Sequence, residues 1–275
     1  MNLSLLPLLF VLFCAGPVQD PVAERMLQYQ RANGGWPQPN GDPIRYELPL
    51  DSAQTLALAK DKYREDTTID DDATTREIRY LAEAGHKTNN KTYLKAAEKG
   101  IQYLLKAQNT AGGWGQFYPD TSSYRKHITF NDHAMVNVLK VLQACAAGNY
   151  PLLDKRLSAP CGVAVRRGVQ CTLACQYRQK STLTVWCAQH DRKTLLPAKA
   201  RSFELPSLSG AESVGIVQFL MSLPEPDEKI KRSIKAAIAW FEAVKIKDMA
   251  VTLVRDADGK PIDRVVVPSP GQVLW

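Results

Sequence analysis

The chain has 275 residues, 45% of them hydrophobic and 23% charged, an ordinary globular composition with enough length to bury a sizeable core. A formal charge of +7 and a pI near 9.0 favour a polyanionic partner: nucleic acid, an anionic membrane surface or an acidic polysaccharide. The basic residues are scattered from Arg25 to Arg264 without a dense block and without a zinc-finger or RNA-binding signature, which sets nucleic acid aside.

The chain opens on an apolar run, Leu3 to Ala15, that is too short to span a bilayer and sits where a secretory leader stands. Residues 1–19 are therefore expected to be a signal peptide, and the protein to be secreted or periplasmic. No Lys or Arg precedes the run, and Phe13 before Cys14 argues against a lipoprotein cleavage site. Five cysteines remain beyond it, Cys145, Cys161, Cys171, Cys175 and Cys187, an odd number without metal-ligand spacing. Cys171 and Cys175 share one helix face, where buried thiols are the simplest reading.

A short marker then repeats. Gln30-x-x-x-Gly34-Gly35-Trp36 returns as Gln108-x-x-x-Gly112-Gly113-Trp114, 78 residues later, and a degraded copy without the glycines runs from Gln176 to Trp186. The second marker ends an apolar-periodic stretch, Tyr93 to Ala107, in which Leu94, Ala97, Ile101, Leu104 and Leu105 fall on one helical face. The glycine pair is expected to stop that helix. A partner helix is predicted over Ala73–Ala84, joined to it by the polar turn Gly85 to Asn90, and another over His133–Ala147. The segment Glu212–Leu223, the turn Pro224 to Asp227 and the amphipathic run Glu228–Val244 repeat the plan.

Three hairpins at intervals of about 70–80 residues cannot bury their apolar faces alone and must pack side by side. The predicted fold is all-α, an α/α toroid of about three helical hairpins in a single domain over residues 20–275, with short β segments in loops. A polar start precedes the first helix of each pair: Asp70-Asp71-Asp72, Asn131-Asp132-His133 and Ser209 to Glu212. Parallel packing puts these starts on one rim. Asp, Asn and Ser are preferred N-caps, and capping accounts for Asn131 or Ser209. Three consecutive aspartates exceed what one cap uses, because the surplus carboxylates repel unless a cation stands between them.

At these residues the chain resembles the family 10 polysaccharide lyases, pectate lyases built on an α/α toroid. The runs that carry the resemblance are YQRANGGWP, TIDDDATTREIRYLA, GGWGQFYP, ITFNDHAMVNVL and the stretch Leu183 to Met221, within a similarity that spans about Arg25 to Trp275. It implies a calcium-dependent enzyme that cleaves α-1,4-polygalacturonate by anti β-elimination. In that reaction a base removes the proton alpha to the uronate carboxylate and the glycosidic oxygen leaves. The proton is weakly acidic, so the site must offset the enolate-like charge that develops, and Ca²⁺ is a hard cation suited to carboxylates from protein and substrate together.

The resemblance places the calcium ligands at Asp70 and Asp132, and Asp71 where the family usually has Asn. The catalytic base maps onto Arg201. A guanidinium is a poor proton acceptor, with a pKa above roughly 12, and from the residues alone an ion pair with a substrate carboxylate or with Glu204 is the plainer reading. Lys199, Gln189, His190, Trp186 and Asp71 are expected to bind substrate: Lys199 by pairing with uronate, Gln189 and His190 from a rim loop, Trp186 by stacking on a sugar ring. Trp36 and Trp114, like other helix-end tryptophans, read as packing between units.

Two departures stand out. Gly115 occupies a position where Pro is common and is expected to loosen its loop. The resemblance also implies a further Arg-containing segment beyond Trp275, so a truncated catalytic domain is expected. A competing reading is a non-catalytic pectin-binding relative, a toroid that keeps a basic cleft without turnover. A terpene cyclase of the squalene-hopene type shares the Gln-x-x-x-Gly-x-Trp repeat, but Ile69 stands where its Asp-x-Asp-Asp motif needs an acid. The partner expected is an acidic polysaccharide, bound by a monomer without a membrane span.

Overall fold

A computed structural model describes residues 19–275. All but the last residue of the expected leader lies outside the described residues. Eight α-helices are found among them: α1 (Pro21–Tyr29), α2 (Ser52–Lys60), α3 (Thr75–Thr88), α4 (Lys91–Ala107), α5 (Ala134–Ala146), α6 (Ser158–Cys175), α7 (Gly210–Met221) and α8 (Glu228–Val244). Among the described residues no helix is long and apolar enough to cross a membrane.

The helices α3/α4, α5/α6 and α7/α8 form three successive hairpins, as the repeat predicts. Within the stack α3, α5 and α7 adjoin one another in one tier, while α1, α4, α6 and α8 adjoin in the other. The core lies between the tiers, with Ile78, Leu81, Ile101, Leu104, Val138, Leu142, Ile216 and Phe219 essentially excluded from water. This is the α/α toroid plan.

Each member of the second tier but α8 ends in a marker, and the marker is an interlock. The indole N–H of Trp36 donates to the Met26 carbonyl (2.7 Å), that of Trp114 to Leu104 (2.8 Å) and that of Trp186 to Thr172 (2.7 Å). The amide of Gln30 donates to Gly34 and to Ala96 of the next tier helix, Gln108 to Gly112 and Ala164, and Gln176 to Thr184 and Ser233. The degraded third copy is therefore a full structural repeat. Its extra residues form a small β-hairpin that replaces the glycines.

The glycines do not stop the helices. Helix α4 ends at Ala107, and Gln108 is already extended. Gly112 instead turns with φ +92° pressed on the next helix, where a Cβ would stand 2.5 Å from the Arg167 carbonyl oxygen. Gly85 likewise lies inside α3, which runs on to Thr88, because Leu94 of α4 packs where its side chain would be, 2.6 Å from a built Cβ. The turn between α3 and α4 is only Asn89-Asn90, with Asn89 left-handed (φ 52°) and Asn90 capping α4.

The strands are β1 (Ile128–Thr129), β2 (Arg178–Gln179), β3 (Thr182–Leu183), β4 (Gln189–His190), β5 (Ile246–Arg255) and β6 (Pro261–Leu274). The first four are the short loop segments expected. The last two are not: β5 and β6 pair antiparallel in a long exposed hairpin after α8. Its signal was present in the sequence, since Asp258-Gly259 lies between Val- and Ile-rich runs and Gly259 takes φ +79° at the turn.

Candidate active site

The chain enters the first helix of every hairpin in the same way. The N–H of Thr68 donates to the Trp36 carbonyl (3.0 Å), Thr129 to Trp114 (3.1 Å) and Ser209 to Trp186 (2.8 Å). In the first two repeats a 3-10 turn follows, Asp70–Asp72 and Asn131–His133, and the two turns touch. Each turn contains a left-handed aspartate, Asp71 (φ 42°) and Asp132 (φ 50°), a conformation that Asp tolerates better than most residues.

Capping does not explain these starts. The N-cap of α3 is Thr74, without a side-chain cap bond, and neither α5 nor α7 has one. Asp72 turns away to Arg79, with its Oδ2 2.5 Å from the guanidinium, and accepts the Thr75 hydroxyl. Asp70, Asp71 and Asp132 instead converge, with carboxylate oxygens all within 4.8 Å of one another. The surplus acids anticipated from the triplet are Asp70 and Asp71.

Burial first, and then the charge on Asp71, push the Asp70 carboxyl up to about 6, against a hydrogen bond from Gln116 that works the other way. Asp132 is raised by burial and by repulsion from Asp71 and Glu212, offset in part by His133 and Arg201. Asp70 Oδ1 and Gln116 Oε1 are buried and have no hydrogen-bond partner. Unpartnered hard oxygens beside crowded carboxylates fit a divalent cation such as Ca²⁺, which takes oxygen donors in flexible geometry.

These groups line a cleft of about 620 Å³, whose wall also holds Gln38, Arg64, Tyr124, Arg125, Gln189, Arg201 and Glu204. Two of them carry a repeat signal that the sequence reading passed over. Gln38 and Gln116 each stand two residues after a marker tryptophan. The Gln38 amide donates to Asp71 Oδ2 (2.6 Å), so the marker supplies packing at Trp and a cleft group two residues on.

The cleft is acidic, not basic. Its wall holds seven carboxylates, Glu65, Asp66, Asp70, Asp71, Asp120, Asp132 and Glu204, against three guanidinium groups. Part of the chain's positive charge sits on exposed outer positions such as Lys229, Lys231, Arg232 and Lys235 of α8. A polyanion can enter this cleft only with cations to offset the wall.

Arg201 faces the carboxylates from the loop before α7. Its Nε donates to Glu204 Oε2 (2.8 Å), its Nη2 pairs with Glu204 Oε1, and the guanidinium lies 5.1 Å from the Phe203 ring centroid. The hydrogen bonds and charge of Glu204 raise its pKa further, so Arg201 is a cation in this state. Gln189 reaches the wall from β4, which pairs with β1 and so ties this loop to the second repeat.

Three expected substrate contacts lie elsewhere. Trp186 is wholly buried, with its indole N–H satisfied within the core, so it packs and does not stack on sugar. His190 is also wholly buried: its Nε2 accepts the Cys187 N–H (3.2 Å) and its Nδ1 meets the Leu195 carbonyl (2.9 Å). It braces the loop that presents Gln189. Lys199 is exposed and outside the lining of the cleft. Nor is Gly115 a loosening residue, since a Cβ there would stand 2.8 Å from the Arg125 carbonyl oxygen.

Residues 26–275 match the family model described as pectic acid lyase. No curated protein matches the chain. Among solved structures it is similar to a family 10 polysaccharide lyase from Cellvibrio cellulosa, with 32% identity, a TM-score of 0.79, and coverage of 92% of this chain and 75% of that one. A mutant of a family 10 polysaccharide lyase from the same organism, in complex with trigalacturonic acid, gives 32% identity, a TM-score of 0.78, and coverage of 92% and 76%.

Proposed function

The chain belongs to the pectic acid lyase family and is a polysaccharide lyase; on that premise we propose that it is a calcium-dependent pectate lyase that cleaves α-1,4-polygalacturonate by anti β-elimination and releases unsaturated oligogalacturonides. The observation that carries this reading is the juxtaposition, in one cleft, of the Asp70, Asp71 and Asp132 carboxylates with Arg201.

Asp70, Asp71 and Asp132 would hold the metal. Bound there, Ca²⁺ would supply charge that offsets the wall and would make the proton alpha to the uronate carboxylate more acidic. Gln38 orients Asp71 through its hydrogen bond to Oδ2. Arg201 acts at the substrate: freed from Glu204 and deprotonated, its guanidine accepts the alpha proton. The C–H electron pair becomes the new C=C bond as the C–O bond breaks, and the glycosidic oxygen leaves to take up a proton. Nearby cations favour the neutral guanidine that this step uses, and alkaline pH favours it further.

The protein acts as a secreted or periplasmic monomer. Incubation with polygalacturonate in alkaline buffer with Ca²⁺ is expected to produce the ultraviolet absorbance of an unsaturated uronide, and a chelator to abolish it. Binding of polygalacturonate without that absorbance would favour the non-catalytic pectin-binding reading instead.

A further inference from the structure

Every guanidinium in the cleft is already engaged by a carboxylate of the protein. Arg64 meets Asp61 (3.1 Å) and Asp66 (3.4 Å), and Arg125 meets Asp120 (2.9 Å). Asp120 is fixed independently, because it also accepts the Ser122 N–H (2.7 Å). Glu204 differs. Its carboxylate bonds only to Arg201, taking Nε (2.8 Å), Nη2 and the backbone N–H (2.9 Å).

We propose that Glu204 is an internal stand-in for the substrate carboxylate: it fills the Arg201 fork in the resting enzyme, and the carboxylate of an entering uronate displaces it there and then moves on, leaving Arg201 free to act on the alpha proton. This rests on the reading that Arg201 acts on the uronate. The fork-to-fork geometry is the one by which a guanidinium takes any carboxylate, so enzyme and substrate present the same group to the same donors. Both side chains are solvent-accessible, 60% for Arg201 and 34% for Glu204. The Glu204 N–H donates to the Arg201 carbonyl (2.9 Å), which closes the turn through backbone atoms, so the side chain can leave without unmaking the loop.

The test is Glu204→Gln, which keeps an oxygen acceptor for the Arg201 N–H and removes the competing charge. Initial rates on polygalacturonate with Ca²⁺ are expected to show KM lowered about two- to fivefold, the range that an exposed ion pair supports, with kcat at or above the wild-type value. An unchanged or raised KM, or a kcat reduced tenfold or more, would overturn the proposal and make Glu204 a group that positions Arg201 throughout turnover. The wild-type protein supplies a second measurement that needs no variant. The ¹⁵Nε resonance of Arg201, assigned with Arg201→Lys, is expected to move when trigalacturonate is added with Ca²⁺, and an unmoved resonance at saturation refutes the exchange. Product release by the wild type in the same assay separates the two readings: if unsaturated product forms while the Glu204→Gln kinetics fail, only the stand-in is lost.

Discussion

Asp71 and Asp132 are the same residue of two successive repeats: each lies three positions after the threonine whose N–H meets the marker tryptophan carbonyl, and each is left-handed. The repeat thus brings one aspartate from each of two hairpins to the rim, and Asp70 joins them from the first turn. Asp72, one residue further on, is committed to Arg79.

Metal affinity should follow that division. Asp71→Asn and Asp132→Asn are each expected to weaken Ca²⁺ binding on the order of tenfold or more in calorimetric titration, since affinity in such sites tracks the number of charged ligands. Asp72→Asn should leave the isotherm unchanged although it belongs to the same acidic triplet. Equal losses for Asp72 and Asp71 would show that bulk negative charge, not this geometry, holds the ion.

The proton competes with the metal. In chelator the Asp70 carboxyl titrates near 6, above its ordinary 3.8, so the fold favours its protonated form. Its contribution to stability is therefore complete below about pH 4 and lost as the pH rises through about 6. The displacement amounts to at most about 3 kcal/mol. Calcium uses the deprotonated carboxylate, so affinity should fall below pH 6. Two measurements check the sign: in chelator, wild type should lose stability relative to Asp70→Asn between pH 4 and 7, and Ca²⁺ should bind more weakly at pH 5 than at pH 8. A melting difference that stays flat across that window would refute the assignment.

Arg201 lies on the surface of its loop, so its removal should be felt in rate and not in folding. Arg201→Ala is expected to lower kcat by about 10² to 10⁴, the usual share of a general base, with unchanged circular dichroism and melting temperature. Retained turnover would place the base elsewhere in the cleft.

The three hairpins were legible because their apolar periodicity and the Gln/Trp marker are both local signals. Helix ends were less so: Gly85 reads as a stop in sequence, yet it is the point where Leu94 packs. The site divides along the same line. Asp70 was visible in a triplet of acids in excess of capping and Asp132 through the family resemblance, whereas Arg125 and Glu204 join them only through loops folded together over long separations. Trp186 and His190 misled for a related reason. Their residue types suit a sugar-binding wall, and only the packing of α6 and the loop before α7 shows that both are sealed inside.

The third marker offers the sharpest check on that packing reading. The Gln176 amide serves two carbonyls, Thr184 (2.7 Å) and Ser233 (3.0 Å), and so pins α6 and the loop after it to α8. Gln176→Ala leaves the buried Thr184 carbonyl without a partner and removes the tie to the Ser233 carbonyl of α8, at a cost of about 1–3 kcal/mol, and the midpoint of thermal unfolding should drop by about 2–12 °C for a chain of this size. Trp186→Phe removes the donor to Thr172 (2.7 Å) and is expected to act in the same direction. Neither substitution touches the wall of the cleft, so KM for polygalacturonate, measured well below the lowered midpoint, should match the wild type. A raised KM for Trp186→Phe with an unchanged melting temperature would return the indole to the substrate and overturn its place in the core.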